Sequence, residues 1–258
     1  MISKSSAYPP GEDGVLLAAQ VHDRLTSVDA INAEADITYS SSVKWEELEE
    51  VRTLHTEWFP VAYHEEFFES IVTGTGFGGG DVVTVVATIG NQPRHIVGMI
   101  TIAIRRAEKQ YNPSADLSVY LGLDSDATTA YILTLGVVDE LRGHGIGRRL
   151  LEDGIRKVQE IDRDCRVVYL HVIEYNEAAK KFYLREKFIE FRRYRDFYFF
   201  DGKVFDGVLL YKPVGGGFDR EETGVWKVTR WLYRKMRSLF GSIFTVKRLR
   251  KDDDSSLV

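Results

Sequence analysis

Residues 129–186 alternate strand and helix twice, with a glycine-rich turn after the first strand, and no other stretch constrains the fold as tightly. The apolar, β-branched run 129–138 reads as a strand, and 145–163 as a helix with Leu150, Leu151, Ile155 and Val158 on one face. Residues 167–172 make a second strand and 176–186 a second helix. A crossover helix returns the chain to the end it left, so the two strands are expected to lie parallel and adjacent. The turn Arg142-Gly143-His144-Gly145-Ile146-Gly147 sits at the mouth of that pair. Glycines let successive N–H groups face one point, and the helix N-terminus adds about half a positive charge there. That geometry suits a pyrophosphate, although tight strand-to-helix turns also use glycine for steric reasons alone.

The flanking segments read as antiparallel hairpins. Runs 82–89 and 95–104 are separated by Gly90-Asn91-Gln92-Pro93, and 189–199 and 203–211 flank Asp201-Gly202. A helix is expected over 42–59, with Trp45, Leu48, Val51, Leu54 or His55, and Trp58 at helical spacing behind a serine cap, and a second over 65–72 beyond Pro60. Residues 105–128 read as a polar loop. The result is an α/β fold: a mixed, mostly antiparallel sheet with a central parallel pair and helices on both faces.

This organisation assigns 1–35 to an N-terminal extension without periodicity, 36–213 to the folded domain, 214–223 to a glycine-rich linker, 224–247 to a basic amphipathic helix and 248–258 to a tail. The single cysteine, Cys165, excludes a disulfide framework and a cysteine-built zinc site, and reads as an inert thiol. No window approaches 18 consecutive apolar residues, so a spanning helix is not expected. The net charge of −5 hides an asymmetry. Residues 224–251 hold nine Lys/Arg and no acid, three aspartates follow at 252–254, and residues 1–223 therefore carry −11.

Two nucleotide loops are excluded at the turn. A Walker loop ends in Gly-Lys-Ser/Thr, whereas Gly147 precedes Arg148-Arg149. A dinucleotide fold needs an acid about twenty residues on, where this chain has Tyr169-Leu170-His171. The spacing Arg-x-x-Gly-x-Gly, followed by Tyr169-Leu170-His171-Val172, Asn176, Phe182-Tyr183 and Lys187-Phe188 in order, resembles the acetyl-CoA site of the GNAT superfamily. Within it the chain is most similar to N-terminal acetyltransferases of the NatF type and next to the NatE type. The stretches that carry this are Trp58-Phe59-Pro60-Val61-Ala62-Tyr63, AYILTLGVV over 130–138, His144-Gly145-Ile146-Gly147 and Phe197-Tyr198-Phe199.

The resemblance implies a GNAT fold whose parallel pair splays at the cofactor, with acetyl-CoA as co-substrate and no metal. The backbone of Leu135, Gly136 and Val137 would pair with the pantetheine arm, and Gly143, His144, Gly145, Ile146, Gly147 and Arg148 would hold the pyrophosphate. Asn176 and Tyr183 would contact the cofactor near its sulfur. Phe59, Tyr63, Leu133 and Tyr198 would line the acceptor site, where NatF-type enzymes carry Tyr-Tyr in place of Phe197-Tyr198.

The chemistry has a reason apart from the resemblance. An α-amine with a pKa of about 8 is mostly protonated at neutral pH, so transfer needs a group to take a proton. Tyr131 opens the first strand of the parallel pair and His171 lies near the end of the second, so both reach the cleft. Judged alone they could equally be core residues with satisfied polar tips. The resemblance assigns them the general-base role and implies protein N-termini as substrates, with Met followed by a hydrophobic residue or Lys.

From 225 to 244, Val225, Trp226, Val228, Leu232, Met236, Leu239, Phe240 and Ile243 recur at helical spacing, with Lys227, Arg230, Arg234, Lys235 and Arg237 mainly elsewhere. This belt suits an anionic membrane surface rather than nucleic acid, or it could dock on the enzyme itself. The resemblance implies a monomeric enzyme held peripherally on the cytosolic side of the Golgi or plasma membrane. Rival readings are a GNAT enzyme acting on lysine or a small amine, and a non-catalytic acetyl-CoA-binding module.

Overall fold

The computed structural model describes residues 37–76, 80–91, 93–106, 115–123 and 127–215. The N-terminal extension, most of the linker, the basic helix over 224–247 and the tail expected from the sequence lie outside the described residues.

Seven strands form one sheet in the order β1-β2-β3-β4-β5-β7-β6. They are β1 Thr38–Ser40, β2 Val82–Ile89, β3 His95–Arg106, β4 Thr128–Val137, β5 Cys165–Ile173, β6 Ile189–Phe200 and β7 Lys203–Pro213. Every neighbouring pair is antiparallel except β4 and β5. The helices are α1 Leu48–Trp58, α2 Glu65–Thr73, α3 Ala115–Leu121, α4 Ile146–Ile161 and α5 Glu177–Arg185. Among the described residues no helix is long and apolar enough to cross a membrane.

The helix α4 buries Ile146, Leu150, Leu151 and Val158, the stripe its periodicity predicts. Each of these aliphatic side chains is worth about 1.5–3 kcal/mol relative to exposure. On the same helix Gly154 lies over Ile100 and Ile102 of β3, so the cross-strand partner Ile132 faces α4 and Tyr131 faces the opposite side. That opposite face takes Trp58 of α1 against Gly136. Lower down it buries Leu117 and Leu121 of α3 together with Val167, Tyr169, Leu209 and Tyr211, all outside the main aliphatic core. Asp116 of α3 pairs with Arg192 of β6, and Tyr120 packs on Phe191 with ring centroids 4.9 Å apart. The expected polar loop over 105–128 thus contains a helix, because the sheet face needs covering and Leu117 and Leu121 supply an apolar edge one turn apart. The short β1, also unanticipated, pairs with the outer edge of β2.

On the far end of the sheet, α1 is tied to the β2–β3 hairpin. Arg94 binds Glu47 just ahead of α1, and Glu50 accepts the Ile96 N–H at 3.0 Å. Burial pushes the Glu50 carboxyl up to about 7, with His95 Nδ1 at 3.5 Å.

Candidate active site

The cleft is a consequence of register. The β4–β5 ladder runs from Thr128↔Cys165 only to Tyr131↔Tyr169, while β4 stays paired with β3 as far as Val137 and β5 with β7 as far as Ile173. Beyond Tyr131 the inner edge of β4 is therefore unmatched, and its N–H and C=O groups over 132–137 face an opening. An unmatched strand edge of this kind accepts an extended chain of amides as an added strand. The side chain of Arg142 closes the end of this edge, with Nε donating to Val137 O at 3.0 Å.

Past that edge the chain turns through Gly143 (φ 85°) and Gly145 (φ 82°), both left-handed, with nothing within 4 Å of the place a Cβ would occupy. Gly145 is the N-cap of α4 and has no side chain to satisfy the first-turn N–H groups. Two left-handed glycines, open space and orphan donors form an anion cradle, and this donor set fits a pyrophosphate attached to an amide-bearing arm. The exposed Arg148 guanidinium is turned to Glu152 at 2.9 Å and Glu186 at 3.9 Å. The His144 ring is likewise exposed, with Nδ1 3.1 Å from Arg142 O. Asn176 is the N-cap of α5, its Oδ1 accepting the Ala179 N–H at 3.0 Å.

At the point where the strands part, the Tyr131 hydroxyl lies 3.2 Å from His171 Nδ1. Burial holds the imidazole down to about 3, and burial followed by nearby Tyr169 raises the Tyr131 phenol. The ring is therefore neutral at physiological pH, and a hydrogen bond joins the hydroxyl to Nδ1. His171 Nε2 is buried and has no hydrogen-bond partner among the described residues. Three further phenols converge here: Tyr63 from the α1–α2 loop, Tyr183 from α5 and Tyr198 from β6. Each is raised first by burial and then by the charge Tyr131 would carry, and Tyr198 meets Phe197, the ring stacked on His171, at 4.9 Å.

The structure thus brings Tyr63, Tyr131, His171, Tyr183 and Tyr198 together from five elements. Phe59 stands in the wall with Tyr63, their ring centroids 6.1 Å apart, and Leu133 lies half-buried on β4 beside the opening.

Three participants are missing from the sequence-based site. His55, buried at 1% exposure, has ring contacts with Trp58, Phe59, Tyr63, Phe67 and Phe68. Its Nδ1 lies 2.8 Å from Val51 O, and burial holds it down to about 4. Phe197 stacks on His171 at 4.1 Å and 18°, and Tyr194 meets the same imidazole edge-on at 5.5 Å. Helical spacing offered His55 only as a core position, and the aromatic hairpin contained Phe197 without saying which way it faces.

Residues 48–188 match the Acetyltransferase (GNAT) family. The chain is 30% identical over 215 residues to histone acetyltransferase MCC1 of Arabidopsis thaliana, covering 82% of both chains. It is 30% identical over 173 residues to N-alpha-acetyltransferase 60 of Danio rerio, covering 67% of this chain and 68% of the relative. Among solved structures it is similar to Arabidopsis thaliana NAA60 in complex with acetyl-CoA, at 32% identity and a TM-score of 0.58 over 69% of this chain and 98% of the other. The same protein in complex with a bisubstrate analogue gives 33% identity and a TM-score of 0.59 over 70% and 99%.

Proposed function

The chain belongs to the GNAT acetyltransferase family, and on that premise we propose that it transfers acetyl from acetyl-CoA to the free N-terminal amine of proteins. The observation that carries this reading is the Tyr131–His171 pair, 3.2 Å apart at the mouth of the unmatched β4 edge and packed against Tyr194 and Phe197. The N-alpha-acetyltransferase 60 relatives and the bisubstrate-bound neighbour support it.

Bound acetyl-CoA supplies the thioester carbonyl. The unmatched edge of β4 at Leu135, Gly136 and Val137 orients its amide-bearing arm, and the backbone of residues 143–148 holds its pyrophosphate. On the acceptor side, an enclosure of aromatic rings desolvates the incoming terminus and favours the neutral amine over the ammonium. About a fifth of free termini are neutral near pH 7.4. An imidazole held at about 3 would take a proton from an ammonium near 8 only at a cost of about 7 kcal/mol. The pair therefore acts later: once nitrogen bonds to the acetyl carbon its remaining protons become far more acidic, Tyr131 Oη accepts one as its own passes to His171 Nδ1, and a proton returns through the pair to sulfur as the carbon–sulfur bond breaks, leaving the amide and the free thiol of CoA. Phe59, Tyr63, Leu133 and Tyr198 wall the slot for the first residue, which suits methionine followed by a hydrophobic residue or lysine.

The test is a peptide panel varying the first two residues, with a matched set whose N-termini are blocked. Turnover confined to free termini supports the reading. Equal turnover of blocked, lysine-containing peptides overturns it in favour of side-chain transfer, the reading suggested by the name of the Arabidopsis histone acetyltransferase relative. The basic amphipathic segment 224–247 is proposed to hold a monomeric enzyme peripherally on the cytosolic face of the Golgi or plasma membrane. Flotation of full-length protein on anionic liposomes, against a form ending at Gly217, tests this, and equal recovery refutes it.

A further inference from the structure

The β6–β7 ladder breaks next to the catalytic pair. Tyr194 pairs with Gly207 and Tyr198 with Phe205, so Arg195, Asp196 and Phe197 oppose Asp206 alone. The bulge turns through Asp196 at φ 52°, a left-handed position that aspartate tolerates and most residues resist. Asp206 holds it shut. One carboxylate oxygen accepts the Asp196 N–H at 3.0 Å, and the other accepts Arg193 Nε at 2.7 Å. Arg193 is braced in turn by Glu174 at 2.5 Å, whose own N–H donates to Asp206 O at 2.9 Å. The carboxylate lies below its usual range because of the Asp196 N–H first and the guanidinium second. Immediately beyond the clamp, Phe197 lies flat across Gly207, where an added Cβ would come within 2.9 Å of Phe197 Cδ1. The same ring stacks on His171, with centroids 4.1 Å apart.

We propose that Asp206 is a positioning residue for acetyl transfer: by closing the β6 bulge it keeps Phe197 stacked on His171 and the imidazole turned so that Nδ1 meets the Tyr131 hydroxyl. The inference rests on the reading of His171 as a proton-handling group. The groups facing that imidazole are Tyr131 from β4 and Tyr194 and Phe197 from β6, with Tyr169 and the Arg105 guanidinium against the Tyr131 ring. Opening the bulge lets water reach the ring, which then titrates nearer its ordinary value of about 6.5.

The experiment is steady-state kinetics of the full-length protein with acetyl-CoA and a methionine-initiated peptide from pH 5.5 to 9. Asp206→Ala is expected to lower kcat about tenfold to a hundredfold, the cost of a misplaced reacting group, with KM for acetyl-CoA within about twofold. It should also introduce an ascending limb in kcat near pH 6 that the parent lacks. Asp206→Asn keeps an oxygen for the Asp196 N–H and should recover most of the rate. Phe197→Ala should reproduce the limb, and adding Asp206→Ala to it should cost nothing further, whereas independent structural roles would add. If Asp206→Ala does not fold, Gly207→Ala displaces Phe197 with the clamp intact and must show the same limb. Parental kcat and a flat profile in the folded variants, with His171→Ala inactive, overturn the positioning role. Full activity of His171→Ala overturns the underlying reading instead.

Discussion

The cofactor cradle and the acceptor pocket meet at Tyr131 but are made in different ways. The proposed cradle is one stretch of chain, residues 135–148, and what it offers is backbone: an unmatched strand edge, two left-handed glycines and the N-terminus of α4. The acceptor pocket is side chains from α1, the α1–α2 loop, β4, β5, α5 and β6, and almost every polar atom in it is desolvated. A backbone site tolerates side-chain change and resists Cβ atoms and altered φ. A side-chain site has the opposite sensitivity.

Substitutions on the two sides should separate cleanly. Tyr131→Phe or His171→Ala is expected to lower kcat by about 10²–10⁴, the range for loss of a positioned proton acceptor, with the acetyl-CoA dissociation constant within about twofold by calorimetry. A comparable loss of acetyl-CoA binding would break the division. Gly136→Ala crosses it, because the new Cβ would lie 2.1 Å from Trp58 Cε3. Forcing α1 away from the cofactor strand should cost about 3 kcal/mol of stability and weaken both acetyl-CoA and peptide binding.

Acid should act on the acceptor pocket first. His55 and His171 have folded values of about 4 and 3, below the unfolded imidazole. Their neutral forms are matched in both states above about pH 6.5, and each withdraws about 1.4 kcal/mol per unit as pH falls from there toward 4. Glu50, raised to about 7, has the opposite sign: its contribution is present at low pH and lost as pH rises from about 4.5 to 7. The net is a loss of about 1.4 kcal/mol per unit between pH 6.5 and 5.5, visible in denaturant melts. His55→Leu should flatten that slope, and an unchanged slope would show that His55 is not desolvated.

The smallest effect belongs to the cradle. Gly145→Ala at φ 82° should cost about 1 kcal/mol in stability and raise KM for acetyl-CoA less than tenfold, while Arg148→Ala, with its guanidinium paired outward, should leave that KM near the parent value.

The same division explains what could be read without coordinates. Every strand but the short β1, both hairpin turns and the helix after the glycine turn follow from local periodicity and from residues that take left-handed φ, so 82–89 and 145–163 were legible nearly to the residue. The cradle was legible for the same reason, since its glycines are its mechanism. The helix α3 was not: seven residues in which Leu117 and Leu121 are buried and Val119 is exposed have too weak a pattern, and they are helical because a sheet face lies beneath them. Tyr131 and His171 could be named, but the hydrogen bond between them could not.

By itself, then, the sequence determined six of the seven strands, the strand–helix–strand unit that makes the parallel pair, and the glycine turn, because each follows from local periodicity or from glycine's freedom of backbone conformation. Only tertiary structure decided where β4 and β5 part, that four tyrosines and a histidine share one desolvated space, and that Asp206 closes a bulge over them. Those features depend on register and on side chains up to 135 residues apart, from Tyr63 to Tyr198. No local preference encodes them; they exist only when the whole sheet has formed.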